Sequence, residues 1–346
     1  MEEYRIIKDA RVLTEHFIPR LIVHRDGQLQ AVRDALKPIL RGQKSRNVFL
    51  WGDTGTGKTC LSRYVAEELS SYSSSVMGSY VNCWLYPSRF KILYNILHDL
   101  GQVFSVHRKG TPTDELLDIF RKKTQDRQCI IILDEVDQIE DDKILYDLLR
   151  LENLGLILIS NRENALYKVD SRIRSSLASA ERVVFRRYSP SEVFDILKHR
   201  AEWGLYPHAV SDSQLRKIAS LSGGDARVGI DILRVVSECA ESNDDEKIRD
   251  EYINSAISVI RESSIKQETE RLNDHQKIVY SIISNSGAVN AGELYPLYRK
   301  ECKRKGVAPV VDRTLRKYLE KLIRYGIVTA KSEGRWRVYR AGKSPN

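Results

Sequence analysis

Gly52-Asp-Thr-Gly-Thr-Gly-Lys-Thr59 fits the pattern G-x-x-x-x-G-K-[ST], and its flanks decide what it means. Before it stands Asn47-Val-Phe-Leu-Trp51, a short apolar run suited to a buried strand. After it, residues 60–70 carry apolar side chains at helical spacing. Strand, glycine loop and helix together are the setting in which this pattern cradles phosphate. The glycines let backbone N–H groups turn inward around phosphate oxygens, and the helix N-terminus adds its positive end. On this reading Gly52, Asp53, Thr54, Gly55, Thr56, Gly57 and Cys60 line a nucleotide. Lys58 reaches the β and γ phosphates, and the Thr59 hydroxyl ligates Mg2+.

Further along the chain, Ile130-Ile-Ile-Leu-Asp-Glu-Val-Asp137 reads as a buried strand ending in acids. Asp134 is expected to hold Mg2+ through water, and Glu135 to orient or deprotonate an attacking water. Asp137 reads as structural. The run Leu156-Ile-Leu-Ile-Ser160 ends in Asn161, whose amide can bond the water or the γ-phosphate. Asp170-Ser-Arg-Ile-Arg-Ser-Ser-Leu177 places Arg172 and Arg174 after that strand. An arginine presented across a subunit interface can stabilise charge on a transferred phosphoryl group. Ser222-Gly-Gly-Asp-Ala-Arg-Val-Gly-Ile-Asp231 opens a helix: Asp225 can cap it and Arg227 projects from the first turn. A cation there opposes the helix dipole, which points to an anionic partner.

Four apolar runs without alternation (the three above and Ser79-Tyr-Val-Asn-Cys83) suit parallel strands covered on both faces by helices. Residues from about 188 to 260 read as helices only, with spans at 192–203, 212–220 and 226–242. The stretch 84–127 is longer than a simple crossover needs and is expected to hold an extra helix pair, with His107-Arg-Lys109 at its tip. The longest apolar stretches fall far short of the ~20 residues of a membrane span. The charged start leads into no signal segment, so secretion and membrane attachment are not expected. Five scattered cysteines without zinc-like spacing read as reduced thiols.

Charge divides the chain sharply. From Arg271 to the end there are 17 Lys+Arg and 6 Asp+Glu, whereas the preceding 270 residues carry a net −2. A basic segment joined to a neutral one suits a polyanion partner, most often nucleic acid. This segment is patterned. Helices are expected at 272–286, 291–305 and 311–325, followed by β runs at 327–331 and 336–340 joined by a turn. That order is a winged helix, whose third helix enters the major groove. Leu315, Leu319, Leu322 and Ile323 share one face, and Asp312 is placed to cap. Arg313, Thr314, Arg316 and Lys317 are expected to meet double-stranded DNA, with Lys331 and Arg335 reaching from the wing.

The elements GDTGTGKT, LDEVD, ISN, VDSRIRSSL, the tyrosine of VVFRRYSPSEVFDILKHR and SGGDAR, followed by the winged-helix pattern, resemble the AAA+ ATPases of archaeal origin-recognition and cell-division-control type. The resemblance spans about residues 15 to 340. It implies an AAA+ α/β domain with a parallel sheet at 1–186, an all-α lid at 187–265 and a winged helix at 270–340. It also implies ATP or ADP with Mg2+, held by Thr59 and Asp134. Asn161 would act as first sensor, Arg227 as second, and Arg172, ahead of Arg174, as interface arginine. Tyr188, Arg200, Pro19, His24 and Arg25 would be nucleotide contacts. Ser171 stands where the family usually has Pro. The implied activity is that of a replication initiator with weak ATP hydrolysis, found in the cytoplasm on the nucleoid. It would bind origin duplex, work with paralogous initiator subunits and help load an MCM-type helicase. A signalling ATPase with a regulatory winged helix, and a clamp-loader-like remodeller, remain alternatives.

Overall fold

Three strands of nearly continuous burial form the centre of a parallel sheet, as unalternating apolar runs require, and a fourth, partly exposed, lies at its margin. They are β1 (Val48–Gly52), β2 (Val76–Asn82), β3 (Gln128–Asp134) and β4 (Leu154–Ser160). A fifth, β5 (Glu181–Phe185), was not foreseen. The sheet order is β2-β3-β4-β1-β5, with every pairing parallel. This computed structural model describes residues 6–101, 111–167, 169–256, 260, 272–324, 327–333 and 336–341. Arg335 and the expected tip His107-Arg-Lys109 lie outside them.

Alternation along the strands divides the core between two faces. Ile130, Ile132, Ile157 and Ile159 pack with α1 (Asp26–Leu36) and α2 (Lys58–Tyr72). Ile131, Leu133, Leu156 and Leu158 pack with α3 (Arg89–Asp99), α4 (Thr113–Thr124) and α5 (Lys143–Leu149). Helices α3 and α4 are the extra pair expected between the second and third strands. The short α6 (Ser171–Ser176) is capped by Asp170, whose carboxylate accepts from the Arg172 N–H.

The lid helices follow. Both α7 (Pro190–Gly204) and α8 (Asp212–Leu221) open on capping boxes, Ser189 with Glu192 and Ser211 with Gln214. Asp225 caps α9 (Ala226–Ser242). The N-terminal segment folds back on the lid: Lys8 N–H donates to the Gly204 carbonyl, and Ile7 bridges Leu205. The nucleotide domain and lid share one compact unit, which runs to Ile253. A second unit begins at Asn254.

The second unit is a winged helix: α10 (Asp274–Ser286), α11 (Ala291–Arg304) and α12 (Asp312–Arg324), then strands β7 (Val328–Glu333) and β8 (Trp336–Ala341). A three-residue strand, β6 (Ala288–Asn290), also unforeseen, pairs with β8. Leu315, Leu319 and Leu322 are buried against Ile278, Val279, Leu294 and Tyr298, and Ile323 packs at their margin. The buried Tyr298 hydroxyl accepts from the Val310 N–H and meets His275 Nδ1 at 2.8 Å. That network ties the turn before α12 to α10. Asp312, expected to cap, is instead the first helical residue and pairs with Arg299 at 2.9 Å.

Candidate nucleotide site and winged-helix surface

The glycine loop joins β1 to α2 with Gly52, Gly55 and Gly57 all at positive φ. At Gly57 a Cβ would stand 2.6 Å from the Tyr188 hydroxyl, and at Gly55 it would overlap the Asp225 carboxylate. The Thr56 hydroxyl donates to the Asp53 carbonyl and tightens the turn. Lys58 is 6% exposed. Its Nζ donates to the carbonyls of Gly52 at 2.7 Å and Asp53 at 2.6 Å. Desolvation pushes its pKa down to about 8; Asp134 opposes the shift and the Arg227 guanidinium adds to it.

The Thr59 hydroxyl donates to Asp134 Oδ2 at 2.6 Å. The two motifs, separated by 75 residues, meet because β3 ends beside the start of α2. Glu135 follows Asp134 with φ 55°, and its N–H donates to Asp134 Oδ1. Left-handed backbone at a non-glycine residue costs about 1–3 kcal/mol and concentrates at functional sites. Ser160 lies opposite Trp51 in register, so Asn161 emerges exposed beside the loop's first residue. The Ser160 hydroxyl donates to Asp137 at 3.0 Å.

The lid grips the loop directly. Ala226 N–H donates to the Gly55 carbonyl at 3.0 Å, and the Thr54 hydroxyl donates to Asp225 at 3.3 Å. Arg187 pairs with Asp53 at 2.9 Å and also bonds the Gly223 carbonyl. The Arg187 and Asp225 contacts were missed in the sequence. The adjacent Arg186-Arg187 before Tyr188 was the available signal. Arg227 reaches toward Glu15 at 4.0 Å.

Behind the loop, the Arg25 guanidinium stacks on the Tyr188 ring at 3.7 Å and bonds the carbonyls of Thr56 and Arg186. His24, also at positive φ, pairs with Asp195 of α7 at 2.8 Å. Pro19 lies instead with Ile18 and Arg20 against Tyr64, Glu67 and Glu68 on the flank of α2. Arg200 is buried but spends its donors on the Val12 and Phe17 carbonyls, bracing the N-terminal segment. Cys60 is half-buried in α2, and burial raises its pKa. Arg172 is exposed, paired with Asp170 at 3.0 Å and stacked on Tyr146 at 5.2 Å. Arg174 reaches the Tyr167 carbonyl. Among the described residues neither arginine bonds the glycine loop, which suits groups offered outward.

In the second unit Arg313 and Lys317 are exposed on α12, Thr314 is half-buried, and Lys331 is exposed on β7. Arg316 is exposed too, with its Nε donating to the Tyr295 hydroxyl at 3.3 Å. Among the described residues no helix is long and apolar enough to cross a membrane.

Parallel sheet, glycine loop, paired acid and gripping lid define an AAA+ nucleotide-binding module, here joined to a winged helix. The chain matches the AAA domain over residues 41–165, the Cdc6 AAA+ ATPase-type lid domain over 194–258 and the CDC6 C-terminal winged helix domain over 267–343. It is 38% identical to ORC1-type DNA replication protein 9 of Halobacterium salinarum, covering 96% of this chain and 93% of that one. To ORC1-type DNA replication protein 1 of Sulfurisphaera tokodaii it is 33% identical, over 96% and 88%. The chain belongs to the ORC1-type DNA replication proteins. Its structure resembles that of the Aeropyrum pernix ORC1 protein in complex with DNA, with a TM-score of 0.83 at 28% identity, covering 97% of this chain and 93% of that one.

Proposed function

We propose that this chain is an ATP-switched DNA replication initiator. It grips origin duplex with its winged helix and helps load an MCM-type helicase together with paralogous initiator subunits, in the cytoplasm on nucleoid DNA. We assign the α/β domain to 1–186, the lid to 187–265 and the winged helix to 270–340. The observation that carries the reading is the 2.6 Å bond from Thr59 to Asp134 beneath a loop that the lid holds. Family membership and the DNA-bound relative supply its context.

Mg2+ fits this site. The Thr59 proton rests on Asp134, leaving the hydroxyl oxygen's lone pairs for an ion, and the carboxylate is 6% exposed. Bound there, Mg2+ would neutralise charge on the β and γ phosphates. Lys58 exchanges its carbonyl partners for phosphate oxygens. Glu135, with Asn161, orients the attacking water. Arg227 reads the γ-phosphate from the lid, so ATP and ADP favour different lid positions. Arg172, or Arg174 in second place, acts on a neighbour's nucleotide, so a lone chain hydrolyses slowly.

The test is duplex binding by the full chain in ATP and in ADP, followed by genome-wide mapping of bound sites. Expected are discrete sites, a nucleotide-dependent footprint, and affinity falling with salt at a slope of about −0.9 per phosphate contacted. Salt-independent or absent duplex binding would favour a signalling ATPase. Rapid turnover stimulated by a protein ring would favour a remodeller.

A further inference from the structure

We propose that Tyr80 is a positioning residue that holds Asp134 in the orientation Mg2+ requires, and so sets how strongly the metal tightens nucleotide binding. This rests on reading Thr59 and Asp134 as the Mg2+ pair. Asp134 Oδ2 accepts two hydroxyl protons, from Thr59 at 2.6 Å and from Tyr80 at 3.1 Å. Its Oδ1 accepts the Glu135 N–H at 2.9 Å. All three donors are needed to fix a carboxylate that could otherwise swing about its last torsion. Thr59 has a second duty, since its oxygen is the ligand. Tyr80 is the donor to Oδ2 without one.

The fold builds Tyr80 into that place. On β2, next to β3, it shares the sheet face of Ile130 and Ile132, the face α2 covers, so its ring runs toward the end of β3. The Arg63 guanidinium, one turn beyond Thr59 on α2, lies 5.5 Å from the ring centre. Strand β2 is the margin of the sheet, and there Asp99 Oδ2 accepts the Tyr80 N–H at 3.3 Å and the Ser79 hydroxyl at 2.8 Å. Both backbone and ring are therefore held.

The experiment is ADP affinity of the full chain with Mg2+ and with EDTA, for the parent and for Tyr80→Phe, with thermal unfolding as a fold check. Full loss of a hydrogen bond to a charged acceptor corresponds to about ten- to a hundredfold, and a residue that acts only through Asp134 passes on part of that. We expect Tyr80→Phe to keep the EDTA affinity and to lose about three- to tenfold of the Mg2+ enhancement. An unchanged ratio, even with both affinities shifted in parallel, would show that Tyr80 only packs and overturn the proposal. Should the Phe variant not fold, Tyr80→Leu, which carries no donor, decides: a reduced Mg2+ enhancement supports the role, and a full enhancement refutes it. A parent chain that binds ADP with no Mg2+ enhancement would instead sink the assignment of Thr59 and Asp134 themselves.

Discussion

In the proposed function the glycine loop and the winged helix both offer cations to phosphate, yet the two present them in opposite ways. Lys58 is 6% exposed, desolvated, and bonded to two carbonyls. Arg313 and Lys317 stand in water on the surface of α12. A buried cation gains from a phosphate nearly undiluted by solvent, whereas an exposed one gains through counterion release shared among many contacts. The first arrangement selects by geometry and is brittle to change. The second selects by summed charge and degrades gradually.

The largest break of that contrast is Lys58→Ala. It removes a desolvated charge and should weaken ATP by about a hundredfold or more, as loss of charged hydrogen bonds of about 1.5–3 kcal/mol each implies. Duplex affinity of the same chain measured in ADP-free buffer should be unchanged; a parallel loss would erase the distinction between the two regions. Next in size is Arg313→Ala. Origin affinity should fall about tenfold at fixed salt, with the log–log salt slope shallower by about one if the contact is to phosphate. An unchanged slope with relaxed sequence preference would sharpen the comparison, placing Arg313 on a base edge.

The smallest effect is one of pH. The Lys58 pKa is lowered to about 8, and phosphate favours the charged form. Below pH 8 the lysine is already protonated. Above it the free chain must take up a proton on binding, so affinity falls as pH rises. Between pH 7.5 and 8.5 the charged fraction drops by about threefold, and ADP affinity should follow. Calorimetry in buffers of different ionisation enthalpy would show proton uptake above pH 8. Pairing of exposed cations with duplex should show no such step across this range.

How much of this was legible in the sequence depended on the kind of interaction. Motifs fixed by chain geometry were readable: the loop at 52–59, the strand ending in Asp134 and Glu135, and the capped helix that begins at Ala226. The third basic helix was readable because Leu315, Leu319 and Leu322 share one face. Strand β5 escaped notice because Glu181-Arg182 opens it with charge, and β6 because three residues carry no period. Arg200 carried a nucleotide-contact reading only through the family resemblance, and its bonds to Val12 and Phe17 depend on how the N-terminal segment folds back. Asp53 with Arg187, and Tyr80 with Asp134, are contacts of tertiary origin that no local pattern announces. The loop's lysine carried its role in its spacing, while the lid's hold on the loop did not.

The acid at the sheet's margin has a consequence of another kind. A bare outer strand is a template onto which a second copy can zip, and initiators gathered on one stretch of duplex would crowd such templates together. Asp99 occupies the outward amide of residue 80 with a negative charge, and at the opposite margin the Gln28 amide covers the Val184 carbonyl. One outward group at each border is thus already taken, which leaves less of either strand for a neighbour to pair with.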